Sequence, residues 1–287
     1  MLRQDQVEFY KENGFLAVEG VISLPLIEEA RQVVEDFVER SRAVMDHDSV
    51  YDLEPGHSAQ EPRVRRLKEP CAIHPIFQQI GCCQAVLDCV EALIGPGVRY
   101  QASKLNMKSA AFGSPVEWHQ DFAFYPHTND DLLAVGVALD DCTLENGCML
   151  MIPGSHRGPI LDHHQEGVFV GAVDVAKERV ETARAVPVPV RAGGITLHHC
   201  RTLHASAPNT SEKPRRLFLI QYTAVDAWPV MGVRDLEAFD AQILRGMPTR
   251  RYRVKEMDMR VPLPMPERQG SIYEIQTAFR PKVFAAR

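Results

Sequence analysis

His119 and Asp121 stand two residues apart in EWHQDFAFYP (117–126), with Trp118 and Phe122 as aromatic neighbours. On an extended strand, positions i and i+2 project to one face, with Gln120 turned away. An imidazole and a carboxylate on one face are natural metal ligands, although the same spacing suits a hydrogen-bonded pair on an ordinary strand. A third ligand decides between the two. Among eleven histidines, the stretch ITLHHCRTLHASAPN (195–209) offers His198, His199 and His204. His204 is the best candidate, at a strand end that breaks into a loop at Ala207-Pro208-Asn209. His198 and His199 point to opposite faces and are read as core or rim histidines with structural partners.

Two histidines and a carboxylate on one side of a metal form the facial triad of non-haem Fe(II) oxygenases, which leaves coordination positions open for a co-substrate and O₂. A zinc hydrolase can use the same three residues. An anchor for 2-oxoglutarate separates the two chemistries, because its far carboxylate needs a buried cation, and a guanidinium matches it bidentately. After His204 the chain runs ASAPNTSEKPRRLFLIQY. Arg215 and Arg216 open a mostly apolar run and alternate faces, so one points in and one out. Burying an arginine unpaired is expensive, so the inward one of the two is taken to face an anion. Ser206 shares the face of His204 and can donate to the same carboxylate.

The elements that must hold these residues follow from the pattern around them. Short runs rich in Val, Ile, Leu and aromatics cover 98–105, 132–140, 148–154, 186–190, 195–199 and 216–225. Turn residues separate them: Glu145-Asn146-Gly147, Pro153-Gly154-Ser155 and Gly193-Gly194. Many short strands without intervening helices predict an antiparallel sandwich or barrel. The first part reads helical. Residues 4–14 form a helix ending at Gly14, and 15–22 a short strand. Ser23 then caps a helix whose apolar residues run from Leu26 to Val38, and 74–95 gives one or two more. A further helix is expected near 234–245, ahead of a Pro-rich, basic tail. The fold class is therefore mainly β, a double-stranded β-helix (jelly roll, cupin-like) with N-terminal and peripheral α-helices. It is read as a single domain over 1–287, helical to about 97, jelly-roll core to about 228, then a C-terminal extension.

Composition narrows the class. Of 287 residues, 45% are hydrophobic and the net charge is -6. That charge is no footprint for nucleic acid or an acidic membrane surface. No apolar run reaches a membrane span, and the N-terminus lacks the apolar core of a signal peptide. Seven cysteines without C-x-x-C spacing predict free thiols in a reducing, cytoplasmic setting. The expected partner is a small-molecule substrate, with the chain a monomer or homodimer.

Three ordered segments carry a family resemblance: W-H-Q-D at 118–121, L-D-D-x-T-x-E-N-G-C-M-x-x-x-P-G-S-H at 139–156, and H-x-S-x-x-N-x-S-x-x-x-R-R at 204–216. As a set they resemble the phytanoyl-CoA dioxygenase family, over roughly residues 5–228. The resemblance implies iron ligands at His119, Asp121 and His204, with Arg215 and Ser206 on the far carboxylate of 2-oxoglutarate. It also implies that Lys68 and Lys104 line the co-substrate pocket. The cofactors it implies are Fe(II), 2-oxoglutarate and O₂. Some relatives carry a Trp where this chain has small residues, near Val137, so one pocket wall is expected to differ. Halogenating relatives lack the carboxylate ligand; Asp121 is present, so hydroxylation with loss of CO₂ from 2-oxoglutarate is the expectation. The other readings of the triad are a metal-dependent cupin-type hydrolase or isomerase, or a non-catalytic iron and 2-oxoglutarate sensor. Phe122, Phe124, Tyr125 and His127 are candidates for an apolar pocket mouth. The basic clusters at 63–66 and 250–255 are candidates for an acyl-CoA or another anion. His156, Asn146 and Gly147 are read as turn residues.

Overall fold

The computed structural model describes residues 1–261, 263, 264 and 271–284. Helix α1 (Gln4–Asn13) ends at Gly14, whose φ of 83° supplies the left-handed cap. Strand β1 (Phe15–Val18) follows, then α2 (Leu24–Arg40), which starts after Ser23 with Pro25 in its first turn. Two short strands, β2 (Tyr51–Leu53) and β3 (Val64–Lys68), precede three helices: α3 (Pro70–Ile73), α4 (Pro75–Gly81) and α5 (Gln84–Ile94). The helical stretch expected over 74–95 is broken at Cys82-Cys83.

The β part comprises β4 (Val98–Lys108), β5 (Val116–His119), β6 (Leu132–Ala138), β7 (Met149–Met151), β8 (His164–Gln165), β9 (Val168–Phe169), β10 (Val186–Val188), β11 (Ile195–His199), β12 (His204–Ser206) and β13 (Arg215–Ala224). Helix α6 (Leu236–Ala241) is shorter than expected. Its predicted second half is instead β14 (Ile243–Arg245), which pairs with β4. A last helix, α7 (Ile272–Ile275), lies in the extension.

The strands form two principal sheets. The larger has the order β1-β11-β6-β13-β4-β3-β2 with β14 also on β4; the smaller is β10-β7-β12-β5. Their named pairings are antiparallel. Alternation along β13 sorts the interior into two layers. Phe218, Ile220 and Tyr222 pack with Ile27, Phe77, Ile80 and Val90 of the helices, forming the main core. Leu217 and Leu219 face the other way, toward Met149 and Met151 of the smaller sheet. Val137 is fully buried in the helix-backed core, so it is not a pocket wall; the neighbouring Gly136 faces Leu217 and Leu219 instead. The Glu145-Asn146-Gly147 turn behaves as expected. The Asn146 side chain accepts from the Thr143 amide and donates to the Asp141 carbonyl at 2.8 and 2.7 Å, and Gly147 has a φ of 80°.

Candidate active site

His119 and His204 lie directly opposite each other where β5 pairs with β12, their ring centroids 4.0 Å apart. Nδ1 of His119 meets the Glu117 carbonyl at 2.8 Å and Nδ1 of His204 the Thr202 carbonyl at 2.9 Å. Each Nδ1–H donates to its carbonyl, which leaves both Nε2 lone pairs turned inward, as a metal requires. Asp121 completes the cluster: Nε2 of His119 is 3.8 Å from its Oδ1, and one ligand atom from each residue lies within 4.8 Å of the others. All three side chains are buried. Burial lowers the His119 pKa to about 4 and holds that of His204 well below its ordinary value, so both present neutral rings. Burial alone would raise the Asp121 pKa. Lys104, His198 and His204 outweigh it and hold the carboxylate well below its usual range.

Two details of the sequence reading change here. β5 stops at His119, and Asp121 opens a single 3-10 turn rather than continuing the strand. Gln120 fixes that turn: its side chain donates to the Arg201 carbonyl at 2.9 Å and accepts from the Leu161 amide at 2.8 Å, while its own amide donates to His163 Nε2 at 2.9 Å. His204 stands at the start of β12, not at its end, so Ser206 follows it on the same face within the strand.

His198 is not a remote core histidine. Its Nε2 lies 3.3 Å from Asp121 Oδ2, and its ring centroid is 4.5 Å from that of His204. It steadies one carboxylate oxygen and leaves Oδ1 toward the two imidazoles. His199 points away, toward Asp130 and His156. Strand alternation at 198–199 was the available signal; the residue that decides between the faces, Asp121, is distant in sequence. His156 is structural, its Nε2 3.2 Å from the Lys11 carbonyl.

Two cavities flank Asp121. The first, about 40 Å³, is lined by the triad with His198, Asn106, Ser206, Arg215, Leu217 and Leu219. Arg215 is buried, and its Nε and Nη1 have no hydrogen-bond partner among the described residues. A buried guanidinium left open toward a cavity fits a carboxylate guest. Arg216 points outward and is held by Asp140, Nη2 to Oδ1 at 2.8 Å. The second cavity, about 180 Å³, is lined by Arg66, Glu69, Ser103, Phe124, Tyr125 and Gln221, among others. Lys104, Asp121 and Ile272 line both.

The structure does not bring Lys68 to either cavity. Its ammonium is 2.9 Å from Asp52 Oδ1 and donates to the Asp48 carbonyl at 2.7 Å. The β3 cation that reaches the second cavity is Arg66, two residues earlier on the same face. Of the aromatics after the ligand pair, Phe124 and Tyr125 line that cavity. Phe122 packs in a separate apolar cluster, and His127 binds the Tyr125 carbonyl with Nδ1 at 2.8 Å. The 250–255 cluster is largely neutralised: Arg250 pairs with Asp240, Arg253 with Asp131 and Asp226, and Lys255 with Asp130. Sequence reasoning also missed the extension. Ile272 of α7 closes both cavities, and Gln276 Oε1 accepts from the Glu117 amide at 3.0 Å, tying this segment to β5.

Paired antiparallel sheets with an inward two-histidine, one-carboxylate cluster beside an unpaired arginine define an iron(II)- and 2-oxoglutarate-dependent dioxygenase. Residues 10–217 match the phytanoyl-CoA dioxygenase (PhyH) family, and the chain belongs to that family. A relative from Stutzerimonas stutzeri, named a probable alpha-ketoglutarate-dependent hypophosphite dioxygenase, is 32% identical over 98% of this chain and 99% of its own. The L-proline trans-4-hydroxylase of Streptomyces griseoviridis is 29% identical over 78% of this chain and 88% of its own. Among solved structures, EctD from S. alaskensis with bound Fe superposes with a TM-score of 0.67 at 24% identity, covering 88% of this chain and 87% of that one. That likeness supports the fold.

Proposed function

We propose that this dioxygenase hydroxylates a small molecule, with His119, Asp121 and His204 as iron ligands and Arg215 with Ser206 holding the far carboxylate of 2-oxoglutarate. The observation that carries this reading is the buried Arg215 guanidinium, without a hydrogen-bond partner for Nε and Nη1, on the same cavity as the triad. When bound, the iron with O₂ and 2-oxoglutarate supplies an oxidant: one oxygen atom enters succinate as CO₂ leaves, and the other enters the substrate as a hydroxyl group.

The chain's own residues supply position and dryness. Arg215 and Ser206 orient the co-substrate at one end. His198 holds Asp121 Oδ2 and fixes the rotamer of that ligand. Phe124, Ile272 and Ile275 wall the second cavity and exclude water from the place where a substrate bond would meet the metal. Lys104, 4.0 Å from Asp121 Oδ1, faces the substrate as well as the ligand. A free small molecule is favoured over an acyl-CoA. The 250–255 cluster that would meet the nucleotide phosphates is largely engaged with carboxylates, and the substrate named for the S. stutzeri relative, hypophosphite, is compact.

The test is succinate formation from 2-oxoglutarate under O₂. It is expected to require Fe(II) and to vanish in His119→Ala. Full turnover in that variant would overturn the ligand assignment. Binding of iron and 2-oxoglutarate without succinate formation would favour a sensor.

A further inference from the structure

We infer that the second cavity is a binding site for a compact monoanion, gripped by Arg66 and Lys104 with its reactive bond toward the triad. This rests on the dioxygenase reading above and adds the charge and the anchors of the substrate.

Neither cation has a hydrogen-bonding partner of its own. No described residue accepts a hydrogen bond from the Arg66 guanidinium, and its buried Nε is unsatisfied. The nearest carboxylate oxygen to it is Oδ2 of Asp52, 3.9 Å from Nη1, and Asp52 already takes Lys68 at 2.9 Å. Among the described residues the Lys104 ammonium pairs only with Asp121, at 4.0 Å, and a metal-bound Asp121 has its charge committed elsewhere. The two side chains are 12% and 18% exposed. Buried cations of this kind require an anion or a dense set of acceptors.

The charge count fixes the guest's valence. Of the charged residues lining the cavity, Arg66 and Lys104 stand against Glu69, with Asp121 assigned to the metal, while Lys68 and Asp52 pair with each other outside it. The cations exceed the carboxylates by one. Glu69 offsets one of the two positive charges, its Oε2 held by the Tyr100 hydroxyl at 2.8 Å and the Ser103 amide at 3.1 Å. Gln221 Nε2 donates to the Tyr125 oxygen at 2.7 Å, and the Tyr125 hydroxyl is turned toward Asp121. A phosphinate or small carboxylate fits this set, with two oxygens between guanidinium and ammonium. Phe124, Ile272 and Ile275 leave its non-oxygen end in apolar surroundings.

The experiment uses the full chain, loaded anaerobically with Fe(II) and 2-oxoglutarate, and follows the visible charge-transfer band. Hypophosphite and acetate serve as anionic probes, dimethyl sulfoxide and acetamide as neutral ones of similar size. The anions are expected to shift the band saturably and the neutral probes not to. Arg66→Gln should weaken anion binding at least about tenfold, the loss of one charge-assisted hydrogen bond, and Arg66→Lys should recover part of it. Both variants should form the band itself normally. If Arg66→Gln fails to fold, Arg66→Met provides the same comparison. Equal binding of neutral and anionic probes, or unchanged anion affinity in the folded variants, overturns the inference. Failure of the wild-type band to form at all would instead sink the dioxygenase reading, and this inference with it.

Discussion

The two cavities beside Asp121 are built differently. The Arg215 cavity is framed by neighbouring strands: Lys104 and Asn106 from β4, His204 and Ser206 from β12, Arg215, Leu217 and Leu219 from β13. Each set follows the two-residue alternation of a strand, and β13 is hydrogen-bonded to β4 along its length. The Arg66 cavity shares β4 (Ala102, Ser103, Lys104) and Ile272 with it, and adds β3, the turn after β5, the far part of β13 and Ile275 from the extension. A frame of paired strands holds its side chains at fixed spacing. Side chains presented by a terminal helix, Ile272 and Ile275, can change without moving the strands that carry the histidine ligands. The difference suits a chemistry kept constant on one side and a substrate varied on the other.

Substitutions can break or sharpen this contrast. The largest effect is expected at the ligands. Asp121→Ala should lower iron affinity by more than the roughly 100-fold that loss of an outer partner costs, as read by equilibrium dialysis. Next, Arg215→Ala should raise the 2-oxoglutarate requirement about 100-fold or more, the cost of emptying one half of a buried ion pair. Arg216→Ala should leave that requirement alone and reduce stability by about 1–2 kcal/mol through the lost Asp140 contact. Equal effects of the two on 2-oxoglutarate binding would refute the assignment. His198→Ala should weaken iron binding roughly 10-fold by freeing Asp121 Oδ2; a variant with unaltered affinity would make His198 a packing residue only.

Separate from the ligand series is the effect of pH on the metal-free protein. Burial lowers His119 and His127 to about 4, and His163 and His199 to about 3, from an ordinary 6.5. Each is neutral when folded and takes up a proton on unfolding below pH 6.5. Unfolding free energy should therefore fall as pH drops from about 6.5 toward 4, by up to about 1.4 kcal/mol per pH unit for each histidine. Urea titrations across that window check it, and stability that holds level on acidification would contradict it.

The Arg215 side was legible in the sequence because periodicity and residue type agree there. An arginine opening an apolar strand, a serine two past a histidine, and a His-x-Asp pair each carry a local signal. Even so, Asp121 reaches its place from a 3-10 turn held by Gln120, not from the strand that the spacing implied. The Arg66 side was legible only in part: the 63–66 cluster, Lys104, Phe124 and Tyr125 were candidates, but which of them meet depends on contacts between distant segments. Lys68 and Arg66 share a face, and only the position of Asp52 decides which of them is neutralised. α7 is a single turn with few residues to reveal it, and its place over the cavities comes from Gln276 and Glu117, far apart in the chain. The basic stretch 250–255 looked like an anion site until its carboxylate partners were brought to it by the fold.

The most direct measurement is the visible charge-transfer band on adding 2-oxoglutarate to the anaerobic Fe(II) protein. The account predicts that the band appears in the wild type and in Arg216→Ala, is lost in His204→Ala, and needs far more 2-oxoglutarate in Arg215→Ala. Metal demonstrably bound with no band in the wild type would contradict it, because the triad would then hold a metal that 2-oxoglutarate does not chelate.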